Sequence, residues 1–192
     1  RMAKRIIVDV HRCLACRSCE LACALAAAGA EGLAQAVAAG EALQPRVRVT
    51  PAGAAAVPLQ CRHCDPAPCE AVCPKGALAR SSAGGAVLLD RELCTGCRFC
   101  MLACPYGVIE PARDGKVMVK CDLCLRRAEA GLEPACVAAC PTGALRVEEL
   151  DEALEARRRD EQALVAARHA RHAAPQDPAQ KSATCEVCGR AF

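Results

Sequence analysis

Sixteen of the chain's 18 cysteines fall into four groups of four. The first is Cys13-x2-Cys16-x2-Cys19-x3-Cys23. The second is Cys61-x2-Cys64-x4-Cys69-x3-Cys73. The third is Cys94-x2-Cys97-x2-Cys100-x3-Cys104, and the fourth Cys121-x2-Cys124-x11-Cys136-x3-Cys140. The last three groups end in Cys-Pro, at Pro74, Pro105 and Pro141. This spacing suits one chemistry. Three thiolates on a tight loop can cover three corners of a 4Fe–4S cubane. The fourth, one helical turn onward, points away and ligates a partner cubane. Short stiff loops also bring backbone N–H groups to sulfur, which tunes the reduction potential. Four complete groups predict four 4Fe–4S clusters, with Cys97 completing the third group.

Two other uses of dense cysteine compete. A disulfide framework needs an oxidising compartment, and Cys13 and Cys16, or Cys94 and Cys97, stand too close for long-loop stapling. Zinc ribbons also use Cys-x2-Cys pairs, but zinc needs neither the third Cys two residues on nor the Cys-Pro that follows. No Gly-rich nucleotide loop, Ser-His-Asp set or Cys-x3-Cys-x2-Cys run is present, so the sequence predicts no substrate site of its own.

The elements that must hold these thiols are short. Each group follows a β-like segment: Ile6–Val10, Val47–Thr50, Val87–Asp90 and Val117–Lys120. Asp114-Gly115 reads as a hairpin turn between Val108-Ile109 and Val117-Met118-Val119. Each Cys-x3-Cys falls on a helical turn, which Pro then stops. Lys75-Gly76-Ala77-Leu78, Tyr106-Gly107-Val108-Ile109 and Thr142-Gly143-Ala144-Leu145 follow, each a turn and the start of a strand. The fold class is therefore α+β: tandem bacterial-ferredoxin-like modules of short strands and helices around a metal-cluster core, with a C-terminal helical tail. The four-cluster domain spans 4–147, with a helix and loop inserted at 24–44. Residues 148–174 form a helical extension, and 175–192 a linker with the terminal Cys pair.

Composition agrees that something besides large side chains holds this fold. Of 192 residues, Trp is absent and Phe and Tyr total three. Leu, Ile, Val and Phe make up about a fifth of the chain, close to the level at which burial fails to offset ordering entropy. The net charge of +3 is scattered, without an aromatic stacking platform, which argues against nucleic acid. No run of 18 apolar residues exists, so no direct membrane span is expected. Arg1 to Arg5 lead straight into Ile6-Ile7-Val8 without an h-region. That predicts a cytoplasmic location, export with a signal-bearing partner being the alternative.

On these residues the chain resembles the four-cluster iron–sulfur subunits of complex oxidoreductases. Members include the beta subunits of dimethyl sulfoxide reductase and formate dehydrogenase. Others are the small electron-transfer subunits of carbon monoxide dehydrogenase, hydrogenases and tungsten aldehyde oxidoreductases. The run Cys13–Cys23 and Pro45-Arg46-Val47-Arg48-Val49 look most like the carbon-monoxide-dehydrogenase-associated type. The resemblance spans roughly residues 4–147. It implies one ligand set of Cys13, Cys16, Cys19 and Cys140, and a second of Cys121, Cys124, Cys136 and Cys23. A third is Cys61, Cys64, Cys69 and Cys104, and a fourth Cys94, Cys97, Cys100 and Cys73. It also implies a non-catalytic electron-transfer subunit serving a large catalytic oxidoreductase subunit. The second redox partner would be a hydrogenase, a nicotinamide reductase or a ferredoxin. The alternatives are a stand-alone soluble polyferredoxin and a zinc-binding structural or regulatory protein. The first group departs from the pattern, with Ala24 where the others have Pro.

Arg17, His63, Lys75, Arg98, Lys120 and Arg126 lie in or beside the cysteine loops. There they would favour a more negative, reduced cluster; the plainer alternative is solvated surface charge. The tail pair Cys185 and Cys188 resembles half a zinc knuckle, which His169 and His172 could complete as a Cys2His2 site. The alternative is solvated histidines with free thiols, or thiols pairing across a dimer.

Overall fold

In a computed structural model, residues 4–81 and 85–173 are described. The terminal pair Cys185 and Cys188 lies outside the described residues, as do the side chains of His169 and His172. The chain divides into two compact units, Arg1–Glu152 and Ala153–Phe192.

The first unit is built from four two-stranded antiparallel sheets and short helices. Strand β1 (Lys4–Val8) pairs with β8 (Leu145–Glu149), Ile6 opposite Val147 and Val8 opposite Leu145. β2 (Val47–Ala52) and β3 (Ala55–Gln60) form a hairpin, as do β4 (Leu78–Arg80) with β5 (Val87–Leu89) and β6 (Glu110–Pro111) with β7 (Met118–Val119). The Asp114-Gly115 turn joins the last pair, but its first strand starts at Glu110 instead of Val108. Val108 and Ile109 are buried just before it. The helices are α1 (Ser18–Ala28), α2 (Leu33–Ala38), α3 (Pro68–Ala71), α4 (Phe99–Ala103), α5 (Leu125–Glu129) and α6 (Ala135–Ala138).

A lone two-stranded hairpin is barely stable in water. Here the strands bury one face in two small cores. The first packs Ile6 of β1, Val47 and Val49 of β2, Leu145 of β8 and Val137 of α6 with Cys19, Cys23 and Cys136. The second packs Leu78, Val87, Ile109 and Met118 with Ala67, Cys69 and Cys100. The nesting is the main topological result. Cysteine groups one and four share the first core, and groups two and three share the second. The middle of the chain is thus one module inserted into another that β1 and β8 close.

The segment expected as an insertion at 24–44 is partly continuous with the first cysteine group. With Ala24 in place of Pro nothing interrupts the hydrogen bonds, so α1 carries Cys19 and Cys23 and runs on to Ala28 before left-handed Gly29 ends it. A long helix, α7 (Leu150–Ala173), follows β8. Among the described residues, no helix is long and apolar enough to cross a membrane.

Candidate metal centres

The cysteine loops share one backbone device. In every group the residue before the second cysteine is left-handed: Ala15 (φ 56°), His63 (48°), Gly96 (66°) and Leu123 (57°). Such a residue makes successive peptide N–H groups converge, forming an anion-binding nest. The His63 N–H donates to Cys61 Sγ and the Leu123 N–H to Cys121 Sγ, both at 3.4 Å. Three of these positions carry a Cβ, at about 1–2 kcal/mol of strain each. Such strain persists only where the surroundings over-determine it. The fourth position must be glycine for a second reason: a Cβ on Gly96 would stand 2.6 Å from the Lys116 carbonyl oxygen in the β6–β7 turn.

In groups two to four the last cysteine is set by its helix stop. α3, α4 and α6 end before Cys73, Cys104 and Cys140, and Cys104 is extended (φ −75°, ψ 115°). The turn after Cys-Pro then wraps its amides around the sulfur. Burial pushes the Cys73 thiol up, but the N–H groups of Lys75, Leu78, Ala77 and Gly76 outweigh it and hold the thiol below its ordinary value. Cys140 behaves alike, with Leu145, Thr142 and Ala144 as donors. Left-handed Gly76 and Gly143 turn these amides inward. Cys23, within α1, accepts instead from the Arg46 N–H at 3.2 Å.

Across groups, the sixteen thiols line four cavities. One holds Cys13, Cys16, Cys19 and Cys140. Another holds Cys23, Cys121, Cys124 and Cys136 in an open groove of about 570 Å³. The third holds Cys61, Cys64, Cys69 and Cys104, and the fourth Cys73, Cys94, Cys97 and Cys100. Each cavity thus combines three thiols of one group with the last thiol of another. Neighbouring sets are within electrostatic reach in one order. Cys19 acts on Cys136, Cys61 on Cys121, and Cys69 on Cys100. These three links join the four sets in series, through the Cys121 and Cys61 sets.

Burial pushes the Cys19 thiol up to about 11 and the Cys136 thiol up to about 12, and raises Cys121 well above its ordinary value. Thiols so placed become thiolates when bound metal supplies positive charge. Among the described residues, no three His, Cys, Asp or Glu side chains converge as a single-ion site; the thiols ring a space instead. One orphaned atom also fits a sulfur-rich anion. His63 lines the third cavity and is buried. Its Nδ1 accepts from the Val87 N–H at 3.0 Å, which leaves the proton on Nε2, and Nε2 has no protein partner. The donor sets and this spare N–H both suit a 4Fe–4S cluster.

Of the six positions beside the loops, only His63 and Lys120 are buried, and burial pushes the His63 imidazole down to about 3, so it supplies a hydrogen bond and no charge; Arg17, Lys75, Arg98 and Arg126 are exposed. The buried Arg5 escaped the sequence reading, because it precedes the first group by eight residues and carries no spacing signal.

Residues 53–150 match the family of the 4Fe–4S dicluster domain. The chain is 40% identical over 158 residues to an iron-sulfur protein of Rhodospirillum rubrum, covering 76% of this chain and 82% of that one. It is 36% identical over 159 residues to the electron transport protein HydN of Escherichia coli K12, covering 75% and 87%. It is 36% identical over 151 residues to the thiosulfate reductase electron transfer subunit PhsB of Salmonella typhi, covering 75% and 74%.

Proposed function

Because the chain belongs to the 4Fe–4S dicluster domain family and is an electron-transfer iron–sulfur protein, we propose that it carries four clusters as the non-catalytic relay subunit of an oxidoreductase complex. The ligand sets are those that line the four cavities. The observation that carries the reading is the series of four-thiol cavities, whose first and last sets each hold an exposed cysteine. Cys16, in one terminal set, and Cys97, in the other, are the exposed cysteines among the described residues. Each is flanked by exposed apolar side chains. Leu14 is 70% exposed beside Cys16, and Phe99 and Leu102 are 54% and 78% exposed beside Cys97. Apolar rims of this kind suit docked partners.

When bound, 4Fe–4S clusters supply reversible one-electron chemistry. The chain's residues do the rest. The thiols of Cys19 and Cys136, then Cys121 and Cys61, then Cys69 and Cys100, are those through which successive sets act on one another. Backbone amides from His63, Leu123, Arg46 and Met118 donate to Sγ atoms at 3.2–3.4 Å and stabilise the more negative form of three of the four centres. Buried aliphatics, including Val47, Leu145, Val87 and Ile109, exclude water between centres.

One partner is a large catalytic subunit, the precedent being PhsB, which is an electron transfer subunit of thiosulfate reductase. That partner is of the carbon monoxide dehydrogenase, aldehyde oxidoreductase, formate dehydrogenase or hydrogenase type. At the other end a hydrogenase, nicotinamide reductase or ferredoxin exchanges the electrons. The reading puts the relay in the cytoplasm, where thiols stay reduced for cluster assembly. Anaerobic metal and sulfide analysis of the purified complex tests it. About 16 Fe and about 16 sulfides per chain are expected, with a co-purifying catalytic subunit. A count near 12 Fe, or a chain that purifies alone with full activity toward soluble carriers, would overturn it.

A further inference from the structure

Between the two cores lies a buried polar seam that no ligand role uses. Lys120 is 4% exposed and immediately precedes Cys121. Its Nζ donates to the Val87 carbonyl, in the second core, and to the Cys121 carbonyl at 2.8 Å, in the first module. Arg5 crosses the same seam from β1, its guanidinium donating to the His63 carbonyl at 3.1 Å. Neither forms an ion pair within 4 Å of a carboxylate among the described residues, as Arg46, Arg48, Arg80 and Arg146 do.

A buried cation without a carboxylate is costly unless some other anion stands near. The groups within reach are thiols and, for Arg5, the largely solvated Asp65 carboxylate. Lys120 acts on Cys69, and Arg5 on Cys61 and Cys64. All three thiols belong to the Cys61 cavity, and Lys120 reaches the Cys121 set through its bond to the Cys121 carbonyl. The exposed cations near other loops sit in water, where salt screens them. Lys120 sits where the dielectric is low and its field carries further.

We propose that Lys120 is the electrostatic positioning residue of the relay's midpoint, its buried ammonium setting the potentials of the two centres that flank the seam. This rests on the four-cluster reading. The step served is a one-electron exchange between modules, in which no bond forms or breaks and no proton is needed. By stabilising the extra negative charge on either flanking centre, Lys120 keeps the crossing from becoming the uphill step. Arg5 adds to the same field from the side of the Cys61 set.

The test is an EPR-monitored redox titration of the full chain and of Lys120→Met, Lys120→Gln and Lys120→Arg, each with its iron content measured first. A unit charge lost at about 10 Å in an effective dielectric of about 20 shifts a redox equilibrium about tenfold, or ~59 mV for one electron. The Met and Gln variants should therefore keep their iron and show two of four potentials lowered by about that amount. The Arg variant should restore both. If Met and Gln variants lose iron while Arg holds it, the charge is needed to assemble the seam, which supports the proposal. Unchanged potentials, an equal shift of all four, or loss of iron in all three variants would overturn it and leave Lys120 a packing role. An unsubstituted chain with fewer than four clusters fails the underlying reading instead, whatever the variants do.

Discussion

Gly96→Ala isolates steric fit from left-handed strain at one cysteine loop. The position before the second cysteine is left-handed in all four groups, yet Ala15, His63 and Leu123 occupy it with a Cβ. Conformation alone therefore does not require glycine, and costs about 1–2 kcal/mol where a Cβ is present. At Gly96 the added Cβ also lands 2.6 Å from Lys116 O and 3.1 Å from its carbonyl carbon. Both are backbone atoms in a tight turn, so the β6–β7 hairpin must move. Overpacking of that kind costs about 1–3 kcal/mol. The sum, about 2–5 kcal/mol, is a large share of a domain's usual stability. At about 2–4 °C per kcal/mol for a chain of this size, the apparent melting temperature should fall by roughly 4–20 °C. Moving the hairpin also disturbs the Met118 N–H, which donates to Cys94 Sγ at 3.4 Å. Anaerobic calorimetry with cluster-resolved EPR is the assay. The Cys94 centre should weaken first, and the Cys13 centre should stay intact. The matched change Ala15→Gly relieves strain but frees the unfolded chain by a similar amount, so it should be near neutral. If Gly96→Ala melts within a degree of the unaltered protein, or if Ala15→Gly is equally damaging, the assignment of glycine to the hairpin contact is wrong.

Further outcomes follow from the same geometry. Cys23→Ser should damage the centre of Cys121, Cys124 and Cys136 and spare that of Cys13, Cys16 and Cys19; the opposite EPR pattern would overturn the cross-group sharing. Iron-free protein should show no cooperative melting, because its two aliphatic cores are small and six non-glycine residues among those described are held left-handed; a sharp calorimetric transition without iron would contradict this. A chain ending at Ala174 should keep its iron, visible spectrum and reduction by dithionite while losing any zinc bound at Cys185 and Cys188; loss of a quarter of the iron would put the tail pair on a cluster. The Arg48–Glu110 pair, at 2.9 Å and partly exposed, holds the Glu110 carboxyl below its ordinary value. Its contribution is present above the unfolded carboxylate value of about 4.3 and is lost as pH falls through the lower folded value. Glu110→Gln should thus lower the melting temperature by no more than about 4 °C near pH 7 and by less as the pH falls below 4, and a gap that widens on acidification would count against the pair.

The chemistry was legible because ligand spacing is local. Three cysteines within seven residues and a fourth before Pro leave few other uses, and the turn after Cys-Pro announces itself by Gly76, Gly107 and Gly143. The nesting of modules was not legible from spacing, because the four groups read as a linear repeat. The pairing of Ile6 with Val147, across nearly the whole first unit, and the core shared by groups one and four show that the outer groups close over the inner ones. The length of α1 was half-legible. Ala24 removes the helix stop, but the run to Ala28 depends on Ala24 being buried.

Charge was the least legible feature, and the reason is physical. Lys75 and Lys120 look alike in sequence, each close to a cysteine. One is solvated, and the other is sealed between two cores by the carbonyls of Val87 and Cys121. A cation's effect on a redox centre depends on the medium between them more than on sequence separation. The medium is made by the fold: by Val87 arriving from the inner module and Arg5 from the outer one. The residue best placed to govern electron passage between modules is therefore one whose neighbours exist only after both modules have closed, while the thiols it acts on are marked in the sequence from the start.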